Sequence, residues 1–142
     1  MTKPAAFWDA SALVPLCVAQ QETPRAFGLL RKYRMVVWWA TTVELTSALV
    51  RLLREGALST GEYAKAQRRA EQYADIWRVL VPSDSVLDEA RSVLERFPLR
   101  AADSLQLAAS LVRCDGRPKG RVFLTFDQRL GEAAEAAGFT LG

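Results

Sequence analysis

The chain has 142 residues, 19 Lys and Arg against 16 Asp and Glu, a net charge of +3, two cysteines and no histidine. This length suits one domain over residues 1–142, able to bury ~68–70% of the unfolded surface, and no interdomain linker or repeat is visible. The missing histidine excludes Ser-His-Asp and Cys-His nucleophiles, an imidazole base and histidine-ligated zinc, which leaves carboxylates, hydroxyls, cations or an oxygen-held metal.

Short strand-like runs alternate with longer helical ones. Ala5 to Trp8 reads as a buried strand ending at Asp9, and Ser11 to Val18 as a short helix broken early by Pro15. Thr23-Pro24 starts a helix, with Thr23 as cap and Pro24 in the first turn, running to Tyr33. Met35 to Trp39 is β-branched and aromatic, too short for a helix, and predicts a strand. Trp38 and Trp39 then face opposite sides of the sheet, both read as core. A helix continues from Thr41 to about Arg54 and stops at Gly56. A polar helix follows from Thr60 to Ile76, with Arg68 and Arg69 on its solvated side.

Val79 to Val81 predicts another strand, Ser85 to Arg96 a helix closed by Pro98, and Arg100 to Arg113 a further helix. Residues 115–120 form a turn-rich loop. Arg121 to Thr125 reads as a strand, Gln128 to Ala137 as a helix, and Phe139 to Leu141 as a last edge strand. The alternation predicts an α/β fold, a three-layer α/β/α sandwich around a central, mostly parallel sheet. Cys17 and Cys114 stand far apart and form neither a zinc knuckle nor a redox motif, which fits buried thiols and a cytoplasmic setting. No signal peptide or membrane span is expected.

In an open parallel sheet, chemistry lies in the crevice beyond the carboxyl ends of the strands. The residues at those ends are acidic: Asp9 after the first strand, Glu44 in the helix after the second, and Asp127 after the strand at Leu124. Asp103, in the first turn of the helix from Arg100, can approach the same crevice. Two carboxylates ~5 Å apart repel by ~3 kcal/mol at an effective dielectric near 20. A hard divalent cation removes that penalty, and without histidine magnesium or manganese fits better than zinc. Each acid also has a purely structural reading. Glu44 with Thr41 matches a capping box, Asp103 complements a helix dipole, and Asp127 caps the helix that follows. Asp9, directly after buried apolar residues, needs a partner or a task.

These residues resemble a known family. Asp9-Ala10-Ser11-Ala12-Leu13 is similar to the opening motif of PIN-domain ribonucleases, particularly the VapC toxins of bacterial toxin–antitoxin pairs. The runs Glu44 to Arg51, Ala102 to Ala108 and Leu124 to Leu130 resemble the next three blocks, in order. The resemblance implies a magnesium-dependent (or manganese-dependent) endoribonuclease whose acidic quartet is Asp9, Glu44, Asp103 and Asp127. Asp9 and Asp103 would be the direct ligands, with Ser11 and Thr125 ordering the site. It implies in-line attack of metal-activated water on RNA, leaving a 5′-phosphate and a 3′-hydroxyl. A cognate VapB-like antitoxin that can send an arginine into the acidic site, and a homodimer, are also implied.

Arg51, two turns after Glu44 on the same helical face, and Arg100, three residues before Asp103, are candidates to hold a substrate phosphate. Their structural alternatives are an Arg51–Glu55 surface pair and a solvated helix-start arginine. Gln106 either reaches the site or covers its rim. Two other readings compete: a non-catalytic PIN-like RNA-binding or regulatory module, and a phosphotransfer domain. The second is disfavoured by Ser11 where a dehalogenase-type site needs a second Asp, and by the absence of a lysine after Thr125.

Overall fold

The computed structural model describes residues 2–142. Five strands form one sheet: β1 (Ala5–Trp8), β2 (Arg34–Trp38), β3 (Arg78–Leu80), β4 (Val122–Leu124) and β5 (Thr140–Leu141). Their order is β3-β2-β1-β4-β5, and every pairing is parallel. Seven helices connect them: α1 (Ala10–Cys17), α2 (Thr23–Lys32), α3 (Thr41–Arg54), α4 (Thr60–Ala74), α5 (Asp84–Arg96), α6 (Ala101–Arg113) and α7 (Gln128–Ala137).

Strand alternation divides the core in two. Phe7, Val36, Trp38, Leu80 and Phe123 point to one face, where they meet Val93 of α5, Leu107 of α6 and Leu130 of α7. Trp8, Met35, Val37 and Leu124 point to the other, against Leu13, Leu29, Leu45 and Leu49 of α1 to α3 and Ala66 of α4. This is the three-layer α/β/α sandwich expected, and the sheet is wholly parallel. Among the described residues no helix is long and apolar enough to cross a membrane. Both cysteines are buried and free.

The order in which strands are added reverses at β1. The first three strands step outward to one edge, and the chain then returns to β4 on the other side of β1. The crevice between the carboxyl ends of β1 and β4 is therefore a topological switch point, where α/β sheets bind ligands.

Several local expectations need correction. α1 is not broken at Pro15 but runs through it to Cys17. Proline removes a single hydrogen bond there, one turn from the helix end, and α1 is buried along almost its whole length. Thr23 does not cap α2; Glu22 holds that position without a side-chain bond. The Thr23 hydroxyl instead donates to Pro15 O at 2.7 Å, tying the α2 start to α1. Trp38 is core, but Trp39 lies beyond the end of β2 and is 59% exposed. Arg69 is pinned rather than free, since its guanidinium donates to Cys17 O at 2.9 Å.

Candidate active site

Asp9 ends β1 and caps α1. Its backbone N–H continues the sheet by donating to Leu124 O at 2.9 Å, which seats its side chain between β1 and β4. The residue is 6% exposed. Its Oδ2 accepts from the Ser11 hydroxyl at 2.6 Å, the Ser11 N–H at 3.2 Å and the Thr125 hydroxyl at 2.9 Å. Both hydroxyl protons are thus aimed at one carboxylate oxygen, so the Ser11–Thr125 oxygen contact of 3.0 Å joins two donors to a common acceptor. Each hydroxyl also accepts a backbone N–H, Ser11 from Phe126 at 2.9 Å and Thr125 from Asp127 at 3.0 Å. Burial raises the Asp9 carboxyl above its ordinary value, against the lowering pull of these bonds.

Asp127 sits on the exposed side of the same junction. Its Oδ1 accepts the Leu130 N–H at 3.0 Å and caps α7. The capping reading of this residue is therefore realised, while Oδ2 takes no part in that bond.

Glu44 and Asp103 arrive from opposite faces of the sheet, each in the first turn of its helix. Neither caps it. α3 begins after Ala40 with no side-chain cap, so the Thr41–Glu44 capping box does not form. Thr41 is wholly buried, and its hydroxyl donates to Gln106 Oε1 at 3.3 Å. α6 begins after Arg100, again without a side-chain cap. Burial, reinforced by the negative charges of Asp9 and Asp103, pushes Glu44 up to about 7. Its Oε2 is buried and has no hydrogen-bond partner among the described residues. Burial also raises Asp103, aided by Asp9 and Asp127 and opposed by Arg100 and Arg129.

The four carboxylates therefore share one electrostatic neighbourhood. Among the described residues, no three Asp, Glu or Cys side chains are gathered into a ready-made cage for a metal ion. They meet instead at the carboxyl-end crevice of the sheet, coupled through their charges. Magnesium takes one or two carboxylates and keeps several waters, so it would need no such cage. The uncompensated Glu44 oxygen and an all-oxygen donor set both suit a hard cation.

Arg100 lies within reach of the cluster's field, as does Arg129, a residue the motif reading left without a role. Its signal is its place in the first turn of α7, two residues after Asp127. Arg51 is elsewhere: it lines an open hollow on the outer face of α3 with Val43, Ser47 and Arg54. The Arg51–Glu55 pair does not form, since the one ion pair among the described residues joins Arg96 to Glu89. Gln106 neither reaches the cleft nor covers its rim. It is fully buried beneath it, donating to Trp8 O at 3.4 Å while accepting from Thr41, and so bridges the end of β1 to the start of α3.

Comparison with known proteins agrees with this architecture. Among solved structures, a toxin–antitoxin complex from Klebsiella pneumoniae superposes with a TM-score of 0.64 at 14% identity, over 88% of this chain and 88% of that one. FitAcB from Neisseria gonorrhoeae gives 0.65 at 16% identity, over 95% of this chain and 96% of that one. PAE2754 from Pyrobaculum aerophilum gives 0.62 at 22%, over 97% and 89%. At such identities these likenesses establish the fold. No curated protein matches significantly. The model of the PIN domain matches residues 6–136, from within β1 to near the end of α7. The chain belongs to the PIN domain family.

Proposed function

We propose that this protein is a magnesium-dependent endoribonuclease acting as the toxin of a toxin–antitoxin pair. The observation that carries this reading is the buried, unpartnered Glu44 Oε2 in a cleft with three further carboxylates. A buried polar atom left unpaired costs ~1–3 kcal/mol, and a bound cation would remove that cost here.

Asp9, Glu44, Asp103 and Asp127 would hold the cation, magnesium or else manganese. When bound, that ion lowers the pKa of water and offsets charge on the phosphoryl group. The chain's own residues do the rest. Ser11 and Thr125 fix the Asp9 carboxylate through Oδ2 and leave Oδ1 free of those bonds. Gln106 and Thr41 set α3 against β1, which fixes where Glu44 enters. Arg100, joined by Arg129, holds the phosphate flanking the scissile bond, since the acids repel phosphate and only cations can offset them. Arg51, further along α3, guides the strand toward the cleft.

The reading includes a VapB-like antitoxin whose arginine would enter the acidic cleft, a homodimer and a cytoplasmic setting. Its antitoxin part is supported by the likeness to a structure described as a toxin–antitoxin complex, and its nuclease part by family membership. The test is cleavage of a structured RNA by purified protein with magnesium, with chelator, and by Asp9→Asn. Cleavage that needs magnesium and disappears in Asp9→Asn supports the proposal. Equal cutting by Asp9→Asn would contradict it. Salt-sensitive RNA binding without any metal-dependent product would favour the non-catalytic RNA-binding or regulatory module.

A further inference from the structure

At the opposite end of the sheet the charge changes sign. Arg34 and Arg78 are the first residues of β2 and β3, Lys3 stands two before β1, and Arg31 and Lys32 close α2. Lys3, Tyr33, Arg34, Ile76 and Arg78 line a hollow of about 330 Å³ there. Lys3 Nζ donates to Leu30 O at 2.9 Å and Arg34 Nε to Lys3 O at 2.7 Å. These bonds hold Arg34 in place and leave its two Nη groups uncommitted among the described residues. None of the five cations has a carboxylate within ion-pair distance among the described residues.

Helix dipoles explain only part of this. Arg31 and Lys32 sit in the last turn of α2, where cations are favoured, but Lys3, Arg34 and Arg78 stand at strand starts. Asp75, next to Ile76 in the sequence, and the C-termini of α2 and α4 at ~−0.5 each would offset about two of these five positive charges and leave an excess of about three. The apolar lining is also unusual for a merely solvated face. Ile76 is 72% exposed, and Tyr33 packs partly against the core while lining the hollow. An anchored aromatic among arginines is the surface that single-stranded nucleic acid uses, with guanidiniums on phosphates and bases on a ring.

We propose that this edge is a second, non-catalytic surface that binds the phosphodiester backbone of single-stranded RNA, with Arg31, Lys32, Arg34 and Arg78 on phosphates and Tyr33 beneath a base. From Lys3 to Asp9 the chain runs ~20 Å at 3.3 Å per residue, so the surface is remote from the carboxylate cleft. It adds affinity for long strands and nothing for short ones.

The test is fluorescence anisotropy of a labelled 20-nucleotide oligouridine with full-length protein in EDTA. It compares wild type with Arg31→Gln/Lys32→Gln/Arg78→Gln, none of which lies in the carboxylate cleft. At low salt the triple variant should bind at least tenfold more weakly, and the slope of log affinity against log salt should flatten by ~2, at 0.7 per lost phosphate contact. Tyr33→Leu should weaken binding about fivefold or more with the slope unchanged. Unchanged affinity and slope in the triple variant, with its circular dichroism intact, would overturn the proposal. So would displacement of the oligonucleotide by polyglutamate as readily as by unlabelled oligouridine, which would mark a site for acidic protein. The assay reads binding without metal, so its failure is separable from a failure to cleave RNA.

Discussion

The two walls of the carboxylate cleft are built on opposite principles. At the β1–β4 junction, Asp9 and Asp127 are each tied into the fold, Asp9 by three bonds to Oδ2 and Asp127 as the α7 cap. Across from them, Glu44 and Asp103 cap nothing, and Glu44 keeps a buried oxygen without a partner. One wall is bonded into the fold while it serves the site; on the other, Asp103 has only the fields of Arg100 and Arg129 against its burial, and Glu44 has no bonded partner for its buried oxygen. Carboxylates of one cluster should therefore respond to mutation with opposite signs in stability, although all are needed for activity.

The largest effect tests what the walls share. Asp9→Asn, which removes charge but almost no volume, should lower magnesium-dependent cleavage by on the order of 10³-fold, comparable with loss of a key electrostatic group elsewhere. A residual rate within tenfold of wild type would remove Asp9 from the chemistry. On the bonded wall, Ser11→Ala strands the Phe126 N–H and removes the shortest of the three bonds to Asp9 Oδ2. It should destabilise the protein by ~2 kcal/mol in urea denaturation, and no loss there would break the contrast.

The smallest effect has the opposite sign. With chelator present, Glu44→Gln should stabilise the protein by ~1 kcal/mol at pH 8, a figure discounted for the partial exposure of this side chain. Because Glu44 is raised from its ordinary 4.5 to about 7, the folded state binds more protons than the unfolded one between those values. Its contribution is present below pH 4.5 and is lost as pH rises to about 7. Metal-free wild type should therefore lose stability over that window, and Glu44→Gln should lose less. Equal pH dependence in the two proteins would mean that Glu44 carries no such strain.

The same division explains what could be read from the chain. The convergence of Asp9, Glu44, Asp103 and Asp127 was legible because parallel topology sends strand ends and first helical turns to one crevice, and strand positions follow from runs such as Met35 to Trp39, of which the strand keeps all but the last residue. Which acids would be structurally employed was not legible. Thr41 and Glu44 have the spacing of a capping box, yet Thr41 is drawn inward to Gln106, a partner 65 residues away. Pro15 reads as a helix breaker only if local propensity decides, and here burial of α1 outweighs one lost hydrogen bond. Trp39 alternates correctly with Trp38, but whether a helix covers it depends on where the sheet ends. Arg129 was passed over because its relation to Asp103 exists only between α7 and α6.

A cation in the proposed site would displace the proton that Glu44 partly holds at neutral pH. Calorimetric titration of the metal-free protein with manganese at pH 7, in buffers of different ionisation enthalpy, reads both features together. It should show binding accompanied by release of at least roughly half a proton, since Glu44 is near its midpoint there. Glu44→Gln should bind more weakly and release less. Manganese binding with no proton release, or equal affinity and release in Glu44→Gln, would contradict the account.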